Sequence, residues 1–324
     1  MTLRTKVSYL MIVAFFLTAY SSSFAQVTIL AGKTNNGIEI KLTNDIKTVS
    51  ANSVVDTSKQ NFGFDDLVPG KLLYMQDDVL KRQIEEDINN LTSKAEQVKV
   101  VLPLADMQIH IVTKVADKSK NLSFAELKKE DIKMGVGPKG EQTATTAEII
   151  KKLTGAKWTE IYTNNTREAI RKLMKGEINA FVVIGTAPIE ALDIFSNIPQ
   201  YNAQFYKLVN LEDVELMDDY TKVVMNKATY KWIPYDVQTY AVRNYLVTRT
   251  AGETQQNKSD IGQFLTDMKA EITKIQKCEG CQLQIWKGVN FSYQNINDSW
   301  IHSMVNETFN QKFNKTTTDP NKKK

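Results

Sequence analysis

Residues Lys133 to Leu153, KMGVGPKGEQTATTAEIIKKL, combine side chains and backbone that could hold an anion or a dipole. A short apolar strand runs into a Gly-Pro-Lys-Gly turn, and a Thr-rich helix start follows. The first backbone N–H groups of a helix have no partner inside it and lie at the positive end of its macrodipole, so a carboxylate or phosphate can satisfy them. Gly140 lets backbone approach a ligand closely, and Gln142, Thr143, Thr145 and Thr146 add neutral donors around it. An ordinary strand-turn-helix connection of an α/β domain has the same local pattern, so this segment alone leaves both readings open.

Residues for catalysis are scarce. The two histidines, His110 and His302, lie near no Ser or Cys in a nucleophile motif such as G-x-S-x-G. His110 sits in the alternating segment Ile109-His-Ile-Val112 and is expected to be a satisfied strand residue; His302, in Trp300-Ile-His-Ser-Met, is expected on a helix surface. Asp77 and Asp78 resemble a metal or acid/base pair, but adjacent strand residues point to opposite faces, which separates the carboxylates. One of them is expected as a hinge or a helix N-cap. The run Tyr230-Lys-Trp-Ile-Pro-Tyr235 fits either core packing or one wall of a cleft.

Cys278 and Cys281, spaced CEGC, are the only cysteines. With no His nearby they cannot complete a tetrahedral zinc site in this stretch. In an exported chain a local disulfide is expected, with free or redox-active thiols as the alternative. No metal or cofactor motif is present.

The chain opens as an export signal. Arg4 and Lys6 form a positive region, Leu10 to Ala19 an apolar core, and Ser23-Phe24-Ala25 a small-x-small site that predicts cleavage before Gln26. The apolar core is about half the length needed to span a bilayer, and no later run approaches the ~18 apolar residues of a membrane helix. A soluble, periplasmic protein is therefore expected, with residues 1–25 as signal peptide. Net charge is +4 and the lysines are scattered, so no basic stripe asks for nucleic acid. The Asn-x-Ser/Thr triplets follow from a chain rich in Asn, Lys and Thr. Residues 314–324 read as a disordered tail.

The elements that must position these residues alternate as in an α/β protein with an open sheet. Strands are expected at Gln26 to Ala31, Ser53 to Asp56 and Leu72 to Met75, with a helix from Ile38 to about Val49 and a helical turn over Asp65 to Val68. After Gln76-Asp77-Asp78 a long polar helix should run to about Ala95, and two separate strands should follow at Val98 to Ala105 and Gln108 to Thr113. Further on, strands at Ile132 to Val136, Trp158 to Tyr162 and Ala180 to Ile184 alternate with helices at Phe124 to Lys129, Ala144 to Leu153 and Thr166 to Lys175. Gly176 is placed to cap the last of these, and Pro188 to open another helix. Ligands of open α/β sheets bind beyond the carboxyl ends of strands, where this chain places loops of Asn, Thr, Ser, Gln and Asp.

Four pieces in order resemble a known family: V-G-P-x-G-x-x-T-x-x-T-A-x-x-I-I at Val136 to Ile150, G-E-I-N-A-F-V-V-I-G-T-A-P at Gly176 to Pro188, Y-M-Q-D-D-V-L at Tyr74 to Leu80, and D-V-Q-T-Y-A-V-R-N-Y-L-V-T at Asp236 to Thr248. The chain is similar to the TAXI solute-binding proteins, receptors of the tripartite ATP-independent periplasmic (TRAP) transporters. The resemblance covers roughly Val27 to Trp300. It implies a two-lobed type II periplasmic binding fold, each lobe an open mixed sheet flanked by helices, with a ligand cleft between them. Lobe one would comprise residues 26–114 and 218–313, and lobe two residues 115–217. It also implies a monomer that binds a small organic solute, a dicarboxylate or an amino acid such as glutamate, and passes it to TRAP membrane subunits, which are often fused.

Two departures from that pattern stand out. The family's first loop is Gly-rich with aromatic residues and Pro after it, whereas this chain has Lys33-Thr-Asn-Asn-Gly37 and then Ile38-Glu39-Ile40. Its Gly-Ser-Gly-Thr loop reads Gly140-Glu141-Gln142-Thr143 here, and an inward Glu141 would repel an anion. Three solutes fit this loop: an anion with Glu141 turned outward, a molecule carrying an amine, or a neutral one. The expected binding residues are Thr34, Asn35, Ser58, Gln60, Asn61, Gln76 and Asp77 from lobe one, facing Gly140, Gln142, Thr143 and Thr186 from lobe two. A periplasmic sensor without a transport role, or an exported enzyme, are the competing readings.

Overall fold

The computed structural model describes residues 26–31, 45–47, 50, 53–59, 62–90, 92–117, 119, 123–216, 220–277, 286, 289, 291–294 and 296–309. The helix expected from Ile38 to Val49 lies largely outside them, with only Asp45 to Lys47 described and helical. The strands are β1 (Thr28–Leu30), β2 (Val54–Asp56), β3 (Lys71–Gln76), β4 (Val98–Lys114), β5 (Lys133–Gly135), β6 (Thr159–Ile161), β7 (Ala180–Gly185), β8 (Tyr206–Leu208), β9 (Tyr220–Met225) and β10 (Val237–Arg249). The helices are α1 (Asp77–Asn89), α2 (Phe124–Leu127), α3 (Gln142–Thr154), α4 (Thr166–Lys175), α5 (Gln200–Ala203), α6 (Gln255–Lys277) and α7 (Ser303–Phe309).

One mixed sheet runs in the order β2-β1-β3-β10-β4-β7-β5-β6, with β8 on β4 and β9 on β10. The strands β1, β2 and β3 are mutually parallel, as are β5, β6 and β7. Between these sets run the two long strands, β4 and β10, antiparallel to each other. The first part of β4 lies beside β10, which in turn holds β3, and its second part, from Gln108 to Thr113, lies beside β7. The sheet thus has two halves that share β4 and β10. The α/β class and the two-lobed arrangement are as the sequence led one to expect.

Local sequence explains the best-formed elements. β7 is apolar throughout and fully buried, as a strand covered on both faces should be. α4 starts at Asn165, whose side chain accepts the Glu168 N–H at 2.9 Å, while the Glu168 carboxylate takes the Asn164 N–H at 2.8 Å. It stops at Gly176, which adopts φ 74°, a left-handed conformation glycine takes at no steric cost. Ala169, Ile170 and Leu173 fall on one face of α4 and are buried. They pack with Phe181, Leu192, Phe195 and Tyr206 in one core cluster, which also takes in Met225, Tyr230, Trp232, Ile233 and Val237. The Tyr230 to Tyr235 run is therefore core packing, and residues 225–237 sit with the half that contains α4 and β7.

Several expectations need correction. The two strands foreseen at Val98 to Ala105 and Gln108 to Thr113 are one strand, because a bulge at Ala105 and Asp106 absorbs the polar break without ending the pairing. α1 ends at Asn89 rather than near Ala95: the Asp87 side chain takes the Thr92 hydroxyl at 2.5 Å and the Ala95 N–H, which draws the chain out of the helix. Asp77 and Asp78 are the first two residues of α1, so neither caps it; Gln76 holds that place. After β7 the chain does not enter a helix at Pro188, and a 3-10 segment begins only at Glu190. His302 is fully buried, not on a helix surface, with Nε2 2.7 Å from the Glu253 carboxylate. Burial lowers its pKa, which favours the neutral ring, and the hydrogen bond to Glu253 satisfies that ring in the interior.

Candidate functional site at the joint of the two halves

The register of the sheet brings two strand ends together. β3 ends at Gln76, opposite Asn244 of β10, and Asn244 lies opposite Leu104 of β4. β7 ends at Gly185, opposite Gln108 of β4. Since β3 runs with β4 and β7 runs against it, their carboxyl ends approach the middle of β4 from opposite directions. The β4 bulge lies between them, and Asp106 stands exposed on it.

Asn244 makes the bulge possible. Its Nδ2 donates to the Ala105 and Val242 carbonyls at 3.1 and 2.9 Å, and its Oδ1 accepts the Tyr74 hydroxyl at 2.6 Å. A carbonyl that the irregular ladder would leave open is thereby satisfied in a fully buried place.

Next to it, Asp77 is 1 % exposed and pairs with the Arg243 guanidinium at 2.9 Å and the Lys81 ammonium at 3.2 Å. Partial burial holds the Asp106 carboxyl above its usual range; Arg243 opposes that shift and Asp77 adds to it. The Tyr245 phenol is likewise pushed up, chiefly by burial, with Asp77 contributing. Asp78 is also buried, and burial raises its carboxyl despite hydrogen bonds from Thr146, Tyr220 and the Val79 N–H that favour the charged form.

The structure places the expected site residues unevenly. Gln76 and Gln142 touch: the Gln142 side chain accepts the Gln76 N–H at 2.5 Å and donates to the Tyr74 carbonyl at 2.9 Å. Asp77 follows Gln76 directly. Thr143 lies in the first turn of α3, and Gly140 stands exposed in the turn before it with φ 82° and open space where a Cβ would be. Thr186 follows β7, with its hydroxyl buried and without a hydrogen-bond partner among the described residues. Ser58 is exposed beyond β2, its N–H donating to the Asp56 carboxylate at 2.9 Å. Thr34, Asn35, Gln60 and Asn61 lie outside the described residues, as do Cys278 and Cys281.

Arg243, Asn244, Asp106 and Tyr220 were missed in the sequence. Arg243 and Asn244 did leave a trace, as polar residues interrupting the apolar run Tyr240-Ala-Val-Arg-Asn-Tyr-Leu-Val247. His110, by contrast, is structural as expected: Nδ1 contacts the Gln108 carbonyl at 3.0 Å and Nε2 the Tyr230 hydroxyl at 2.9 Å. Among the described residues no group of acidic, His or Cys side chains could hold a metal ion, and no helix is long and apolar enough to cross a membrane.

Two half-sheets joined by two shared strands, with strand ends converging on the joint, give the chain a mixed α/β architecture in two halves. The chain belongs to the NMT1-like family, whose pattern matches residues 72–257. No curated protein matches it. Among solved structures it is similar to a TctC solute binding protein from Polaromonas at 14% identity and TM-score 0.44, over 78% of this chain and 89% of that one. It is similar to MatC from Rhodopseudomonas palustris with bound malate at 11% identity and TM-score 0.46, over 78% and 88%. A third similar structure is an ancestral arginine-binding protein bound to arginine, at 17% identity and TM-score 0.44, over 76% and 93%.

Proposed function

We propose that this chain is an exported solute receptor that captures a small polar organic solute, a dicarboxylate or an amino acid such as glutamate, between its two halves. It then delivers the solute to TRAP-type membrane subunits. The observation that supports this most is the convergence of the β3 and β7 ends on the β4 bulge, where loops of both halves can reach one small molecule. Membership of the NMT1-like family, the order of the four sequence pieces and the export signal all favour the same reading.

The joint offers both signs of charge. Arg243 supplies a guanidinium suited to a carboxylate, and Asp106 supplies an exposed carboxylate suited to an ammonium group. Thr143, Thr186 and Ser58 add hydroxyls, and the start of α3 adds backbone N–H groups. No described residue in this arrangement acts as a nucleophile with a general base beside it, so the proposed role is binding without chemistry.

Mass spectrometry of small molecules released from protein purified out of its native envelope fraction tests the reading. Recovery of about one polar organic acid or amino acid per chain supports it. Protein that carries none, and that shows no heat on titration with glutamate, malate or arginine, counts against it. Co-purification with integral membrane subunits tests the delivery step separately.

A further inference from the structure

We infer that Asp78 and Gln142 form a latch that holds the two halves of the molecule together across the joint without any solute. The inference rests on the receptor reading only in taking the halves to move relative to one another.

Asp78, 3 % exposed in the first turn of α1, connects three elements. Its Oδ2 accepts the Thr146 hydroxyl of α3 at 2.7 Å and the Tyr220 hydroxyl of β9 at 2.8 Å, and its Oδ1 accepts the Val79 N–H at 2.8 Å. One carboxyl thus ties the half containing β3 to a helix of the other half and to the strand that leads back towards β10. Opening the joint would strip the Thr146 hydroxyl from it and disturb the carboxyl that Tyr220 also holds.

Gln142 makes the second tie by imitating a strand. β1 pairs with β3 as far as Leu30 opposite Leu73, and beyond that register the Tyr74 carbonyl and the Gln76 N–H both face Gln142. The Gln142 side-chain amide meets both, as a neighbouring peptide group would. Thr146, whose hydroxyl also lies 3.2 Å from the Gln76 Oε1, stands between the two ties. At the rim, Arg82 reaches Glu148 at 2.7 Å, but both side chains are about a third exposed and such a pair adds little.

These contacts satisfy buried polar groups of both halves at once, so separating the halves leaves all of them to find new partners together. Gln142 is accordingly a positioning residue that acts on the other half of the protein, and a solute entering the joint must compete with or extend this set. The latch also gives the first turn of α3 its place, which sets where Thr143 is presented.

Hydrogen exchange read at single amides, with no solute added, tests the latch by crossed readouts. Gln142→Ala removes one tie and Tyr220→Phe weakens the other, and neither touches the partner tie directly. If the two act as one latch, Tyr220→Phe speeds exchange at the Gln76 amide at least several-fold, and Gln142→Ala does the same at the Val79 amide. The double variant should also show a larger radius of gyration in solution scattering. Should each variant change exchange only at its own contact, with the radius of the double variant unchanged, the latch is wrong. Circular dichroism confirms that each variant is folded, and Thr146→Val supplies a further variant for the same readout. Because no solute is used, failure here leaves the receptor reading standing, and failure to find a solute leaves the latch standing.

Discussion

The Arg243 guanidinium lies 2.9 Å from the Asp77 carboxylate, and this pair joins the strand shared by both halves to the first residue of the helix that follows β3. Asp77 is 1 % exposed, whereas Arg243 keeps about a quarter of its side chain in water. A carboxylate that deep depends on its cations, and Lys81 at 3.2 Å is the second of them.

Removing Arg243 should therefore leave Asp77 under-compensated. Breaking a fully buried pair costs about 3–5 kcal/mol, and the exposure of Arg243 together with the help of Lys81 reduces the expected loss for Arg243→Met to roughly 1–3 kcal/mol. Urea unfolding of the variant measures it. A change below about 0.5 kcal/mol would mean that the pair is a surface contact in its energetics.

Acid should weaken the fold through His110. Burial lowers its pKa from the ordinary 6.5 to about 4, with the Gln108 and Val183 backbone opposing that shift. Between those values the unfolded chain binds a proton that the folded chain does not, so stability is full above pH ~6.5 and falls as pH drops towards 4. Each tenfold difference in proton affinity between the two states is worth about 1.4 kcal/mol, so the loss attributable to this residue approaches roughly 3 kcal/mol. The stability gap between wild type and His110→Gln should shrink over that window. An imidazole that titrates near 6.5 in the folded protein, followed by NMR, would contradict the assignment.

Two glycines separate rigid from yielding surroundings. A Cβ on Gly135 would stand 2.9 Å from the Phe181 Cβ, which is fixed in β7, whereas one on Gly262 would stand 2.8 Å from the terminal methyl of Met304. Gly135→Ala is expected to cost about 1–3 kcal/mol through overpacking. Gly262→Ala should stay within about 1 kcal/mol of wild type, because helix propensity gains what moving a flexible methyl loses. Thermal melts of both variants check the contrast, and equal losses would refute it.

On the proposed function, Thr143→Ala should weaken the binding of the recovered solute at least several-fold. The expectation is one or two hydrogen bonds lost at about 0.5–1.5 kcal/mol each, more if the solute is charged. The melting temperature of the empty protein should move little. Calorimetric titration that finds affinity intact in both Thr143→Ala and Thr186→Ala would remove these two residues from the site.

What the sequence determined by itself was local. The apolar run of β7, the Asn165 cap and Gly176 stop of α4, and the alternation of strand and helix each follow from forces acting over a few residues, and the structure repeats them. His110 was legible as a strand histidine for the same reason. What only the tertiary structure decided depends on partners far along the chain. β4 continues through Asp106 because Asn244 of β10, remote in sequence, satisfies the Ala105 carbonyl at the bulge. Asp77 and Asp78 read as a hinge or a helix cap at a strand end until Arg243, Thr146 and Tyr220 arrive to surround them. His302 reads as a surface residue and is buried because Glu253 meets it inside. A buried charge or an irregular strand is stable only when its counterpart is present, and the sequence names the counterpart without saying that the two will meet.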